Sequence, residues 1–73
     1  ELVPENAAIA DTYGWILFEA GEHEQSLAVL EKAHSLAPDS QEIAMHLAEA
    51  YRATGRTEAA QQIMDKFSTG NNG

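Results

Sequence analysis

Three histidines, His23, His34 and His46, are the only imidazoles in the chain, and twelve acidic side chains surround them in sequence. The string Glu22-His23-Glu24 places an imidazole between two carboxylates, a donor set that zinc accepts. Two ligands on one helical face must stand three or four residues apart, whereas these histidines are 11 and 12 apart. Solvated surface histidines are therefore expected, with no metal centre and no cofactor. Paired carboxylates do acid–base work when an apolar pocket raises the pKa of one of them. Glu19, Glu22 and Glu24 instead cluster where a turn is expected, so a solvated face is the reading. Ser26 is better explained as a small residue at a helix crossing than as a nucleophile, and there is no glycine-rich phosphate loop. No catalytic residue emerges, and an enzyme is not expected.

The elements that must carry these side chains follow from a repeat. A shift of 34 residues aligns Pro4 with Pro38, Ile9 with Ile43, Ala10 with Ala44, Gly21 with Gly55, Glu24 with Glu58 and Lys32 with Lys66. The same shift keeps size class at Tyr13 and Leu47, Gly14 and Ala48, Leu17 and Tyr51, Ser26 and Ala60, and Leu30 and Met64. Periods of about 20 to 50 residues mark stacked supersecondary units. Within each unit apolar and small residues recur three and four apart, the spacing of two amphipathic helices. Asn6 is expected to cap the first helix, Asp39 or Ser40 the third and Thr57 the fourth. Gly21 and Gly55 stand where the first helix of each unit must stop, because glycine tolerates the left-handed backbone of a helix end. Gly14, Ser26, Ala48 and Ala60 leave room for two helices to cross closely.

Composition narrows the function classes. With 73 residues the chain buries only about 60% of its unfolded surface, and without cysteine no disulfide or thiolate-bound zinc staples the fold. The unbroken apolar runs, Trp15 to Phe18 among them, are no longer than four residues, far short of the roughly 20 of a membrane span, so a soluble segment is expected. A net charge of -8 repels phosphate backbones and anionic lipids, and Arg52, Arg56 and Lys66 are too sparse for a nucleic-acid stripe. Neither nucleic acid nor membrane insertion is expected. The chain opens on Glu1 without an initiator Met or a basic, apolar leader. It reads as an excised or processed segment whose targeting signal lies outside it, which leaves cytoplasm and bacterial envelope both open.

The 34-residue period, the Gly14 and Leu17 pair, the turn at Gly21, the Ser26, Leu30 and Ala33 series and the closing Pro38 resemble one copy of the tetratricopeptide repeat. Leu47, Ala48, Tyr51, Gly55, Ala60, Met64 and Phe67 resemble a second copy, with Phe67 where the family usually has alanine and no closing proline. Residues 1–5 then read as the end of a preceding repeat or a linker, 6–38 as repeat one, 39–67 as repeat two and 68–73 as a flexible tail. The resemblance implies an all-α fold, two antiparallel helix-turn-helix hairpins stacked as a short right-handed α-solenoid. The run Asp11 to Ile16 is similar to that of bacterial envelope and secretion members of the family, which implies an exported or lipid-anchored parent.

In the family the first helix of each pair lines a concave groove that holds a partner peptide. Carried over, the groove positions are Asp11, Thr12, Trp15, Phe18 and Glu19, with Glu42, Met45, His46, Glu49 and Arg52 from the second copy. Their three- and four-residue spacings put each set on one helical face. Such a groove is acidic with an aromatic and thioether floor, suited to a basic and apolar protein or peptide. The lysines and asparagines with which some members grip a terminal carboxylate are missing from this face. A second expectation comes from the edge of the array. Ile63, Met64 and Phe67 end it with no capping helix behind them, so a second chain could cover them in a homo-oligomer, a symmetric dimer or an exchange of helices. Leu2 and Val3 are the corresponding apolar residues at the other end.

Overall fold

The computed structural model describes residues 5–68, and among them the secondary structure is entirely helical. Helix α1 spans Ala7–Glu19, α2 His23–Leu36, α3 Gln41–Ala53 and α4 Thr57–Ser68. Pro4, Leu2 and Val3 lie outside the described residues, as do positions 69–73. Ser68, assigned to the tail from the sequence, is the last residue of α4.

Local chemistry sets the helix ends. The Asn6 side chain accepts from the Ile9 N–H at 3.0 Å, and Ser40 rather than Asp39 caps α3, its hydroxyl accepting from the Ile43 N–H at 3.3 Å. Each satisfies one of the four N–H groups that a helix start leaves without a partner. Thr57 does not cap α4; it is the first residue inside the helix, and the Arg56 carbonyl takes the first bond, from the Ala60 N–H at 3.1 Å. The preceding turn is the reason. Gly55 has φ +82°, the Gly55 N–H reaches the Arg52 carbonyl at 3.1 Å and the Arg56 N–H reaches that of Tyr51 at 2.7 Å. This double bond pattern closes a helix C-terminus and leaves Arg56 as the flanking residue. Gly21, φ +88°, repeats it: its N–H bonds the Phe18 carbonyl at 3.0 Å and that of Glu22 bonds the Leu17 carbonyl at 2.9 Å.

Turns this short fold α1 back on α2 and α3 back on α4 as two hairpins. Helix α2 also packs on α3, and α1 lies beside α3. Two core clusters result. Ala10, Val29, Ala33 and Ile43 form one, flanked by Ala7, Tyr13, Leu17 and Ala37. Leu27, Leu30, Leu47 and Ala50 form the other, flanked by Phe18, Tyr51 and Ile63. Both draw on α2 and α3, so the helices from different repeats are joined by apolar burial, at about 1.5 to 3 kcal/mol for each large side chain. Ile63, assigned to the uncovered edge from the sequence, packs against the second cluster because α4 turns that side inward. Met64 and Phe67 are half-buried.

Gly14 shows why small residues recur at the crossings. A Cβ built there would stand 2.8 Å from both Cγ and Cδ2 of Leu30. Leu30 is fully buried in that space, and the Ser26 hydroxyl donates to the Gly14 carbonyl at 2.8 Å. Ser26 is thus both small and a buried hydrogen-bond donor, a second role its size alone does not reveal.

Candidate partner-binding groove

The groove begins with helical spacing. On α1, Asp11, Trp15 and Phe18 stand four and three residues apart; on α3, Glu42, His46 and Glu49 do the same. Because α1 and α3 lie side by side, the two faces become neighbours. The absence of a Cβ at Gly14 lets Leu30 of α2 lie directly behind α1.

A row of rings crosses this surface. The His46 ring stacks on Trp15 with centroids 4.3 Å apart and planes 22° apart. Trp15 stacks on Phe18 at 4.7 Å and 3°, and Phe18 meets His23 at 4.7 Å and 38°. Such contacts add about 0.5 to 1.5 kcal/mol to the area they bury. The row therefore runs from α3 across α1 to the first residue of α2. At its α3 end a carboxylate follows: Asp11 Oδ1 is 2.7 Å from His46 Nδ1. His23, set aside as a solvated turn residue, belongs to the row.

The ten groove positions divide by exposure. Thr12, Glu19, Glu42, Met45, Glu49 and Arg52 are exposed, while Trp15, Phe18 and His46 are half-buried. Asp11, expected to line the groove, is instead buried. It is only 8% exposed, since the adjacent repeat covers it and His46 engages its carboxylate. Thr12 turns its hydroxyl inward, donating to the Ala8 carbonyl at 3.0 Å. Arg52 is paired with Glu49 at 3.2 Å, which leaves Glu19 and Glu42 to set the sign of the surface.

Polar ties that no spacing announces run between the two repeats. The Tyr51 hydroxyl donates to Glu31 Oε2 at 2.9 Å, linking α3 to α2, and Arg56 pairs with Glu24 at 3.2 Å. The Tyr51 phenol is pushed up to about 12, first by burial, then by its hydrogen bond to Glu31 and the charge of that carboxylate, with Arg56 pulling the other way. On the far side of α2, burial and the nearby Lys66 ammonium lower the His34 pKa, and its buried Nδ1 has no hydrogen-bond partner among the described residues.

One grouping could have been sought in the sequence. Comparing histidines only with one another leaves out carboxylate donors, and Glu42 and His46 stand four apart on α3. The fold adds Asp11 from α1, so that one donor atom from each of the three lies within 4.8 Å of the others. Beside them is an open hollow of about 350 Å³, lined among others by Ala8, Asp11, Thr12, Ser40 and Glu42. No helix among the described residues is long and apolar enough to cross a membrane.

A family model described as tetratricopeptide repeat matches residues 3–67, nearly the whole chain. No curated protein and no solved structure matches it.

Proposed function

The chain belongs to the tetratricopeptide repeat family, whose repeats mediate protein–protein interaction, and we propose that its α1–α3 face binds a basic, apolar peptide of a partner protein. The observation that carries this reading is the Trp15–His46 stack, which joins the two repeats into one floor between the exposed carboxylates of Glu19 and Glu42. Stacking uses part of the Trp15 ring surface, so the apolar contact offered to a ligand comes from the remaining ring edges and from Met45, which is 49% exposed. Cationic side chains of the peptide would meet the acidic rim, and salt would weaken them. A scaffold role without catalysis agrees with the family.

Trp15 is the only tryptophan, so its emission reports the groove directly. A peptide alternating lysine and leucine should bind saturably, a glutamate and leucine peptide should not, and Glu42→Lys or Met45→Ala should weaken the first without loss of helix content. Asp11 is unsuitable for this test because it is buried. Equal binding of both peptides, or indifference to both substitutions, would move the site off this face.

Self-assembly is a second reading, and one observation favours it. Ile43 and Ala50 are buried against α2, yet their counterparts in the first repeat, Ile9 and Ile16, are 57% and 60% exposed. A helix like α2 is what that side of α1 accepts, and α4 of a second copy carries Met64 and Phe67 at the matching places. Sedimentation velocity over a concentration series should then show mass rising with concentration, and Ile16→Glu should abolish the rise. A monomer at all concentrations removes this reading.

A further inference from the structure

We propose that Asp11, Glu42 and His46 form a binding site for a divalent first-row transition metal ion, with zinc as its natural probe. Three observations converge on it. The donor atoms gather from two repeats, Asp11 from α1 and the four-residue pair Glu42 and His46 from α3, all within 4.8 Å of one another. Donor atoms around a tetrahedral zinc stand about 3.3 Å apart, so the Asp11–His46 contact at 2.7 Å is close to that spacing. Glu42 is exposed, and a swing of its side chain brings the third donor in.

Charge is the second observation. Glu5 pairs with Lys32, Glu24 with Arg56 and Glu49 with Arg52. Asp11 and Glu42 have no lysine or arginine partner among the described residues, although Asp11 is 8% exposed and the chain carries a net charge of -8. Two carboxylates and an imidazole with donor atoms within 4.8 Å of one another are what a dication neutralises. The third observation is the donor set. One nitrogen with two oxygens favours zinc, nickel or cobalt over magnesium and calcium, which prefer oxygen alone. The hollow beside Asp11 and Glu42 leaves room for water to complete the coordination. Binding requires the His46 proton to reside on Nε2, so that the Nδ1 lone pair faces the ion in place of the hydrogen bond to Asp11.

The test uses the full chain. Calorimetric titration with zinc should give one ion per chain, and cobalt should produce a saturable visible absorption. Nickel should quench Trp15, because His46 lies against that ring. Glu42→Gln, at an exposed position, should weaken zinc about tenfold or more without altering helix content, and Asp11→Asn and His46→Gln should do the same. Glu49→Gln and His23→Gln should leave affinity unchanged. Absence of saturable binding would show that Asp11 and His46 form a hydrogen-bonded pair only. Equal losses in Glu42→Gln and Glu49→Gln would show a diffuse counterion effect, and either result overturns the site.

Discussion

Leu30 and Met64 stand 34 residues apart at the same place in their hairpins, yet Leu30 is fully buried and Met64 is half exposed. The difference comes from what lies on either side. Helix α2 has α1 against one flank and α3 against the other, whereas among the described residues α4 packs chiefly on α3. The same repeat pattern thus produces a core residue in one hairpin and a rim residue in the next. The crossings differ as well. Gly14 and Ser26 meet through a buried hydrogen bond, while their counterparts Ala48 and Ala60, both 1% exposed, carry no hydroxyl to make one. Position in the array sets how much a residue contributes, and repeat register sets only where it stands.

The comparison is broken most directly by truncating the equivalent pair. Leu30→Ala should destabilise the chain by about 2 to 5 kcal/mol, and Met64→Ala by clearly less, because solvent already reaches Met64 and can fill the space. Equal midpoint shifts in urea denaturation would mean that α4 is covered in solution, as self-assembly requires. A smaller effect sharpens the contrast between the crossings. Ser26→Ala should cost about 1 kcal/mol through loss of its bond to the Gly14 carbonyl, and Ala60→Ser should bring no matching gain, since the bond at Gly14 depends on how closely α2 approaches. A gain from Ala60→Ser would show that the second hairpin closes equally tightly.

The smallest effect is set by pH and links α2 to α4. The His34 imidazole lies below its ordinary 6.5 through burial and the Lys66 charge. Below that value the unfolded chain takes up a proton that the folded chain resists, so stability is present above 6.5 and declines as pH falls. Denaturation midpoints measured between about pH 7.5 and about pH 5 should fall less in His34→Gln than in the parent. An identical decline in both would assign the pH dependence to other groups.

Much of the architecture is legible in the residues because local rules govern it. Asn6 and Ser40 cap helices by their short polar side chains, and Gly21 and Gly55 stop them by accepting positive φ. Thr57 stands one position inside its helix for a local reason too, since the hydrogen bonds of the Gly55 turn reach to Arg56 and push the cap there. The candidate site was less legible. Helical spacing puts Asp11 on the same face as Trp15, and nothing in that spacing tells that α3 covers it. His23 and His46 read as isolated histidines because their ring partners, Phe18 and Trp15, belong to another helix.

What the sequence alone determined, then, is the period of 34 residues, the four helices and the stops between them, all products of spacing and backbone preference within a few residues. Only the tertiary structure decided that Asp11 is buried, that four rings form one row, that Ile63 joins the core and that Asp11 meets Glu42 and His46. Each of these depends on the angle and closeness with which one helix crosses another. At the α1–α2 crossing the closeness follows from the volumes of Gly14, Ser26 and Leu30 acting together, and a one-dimensional pattern does not carry such combinations.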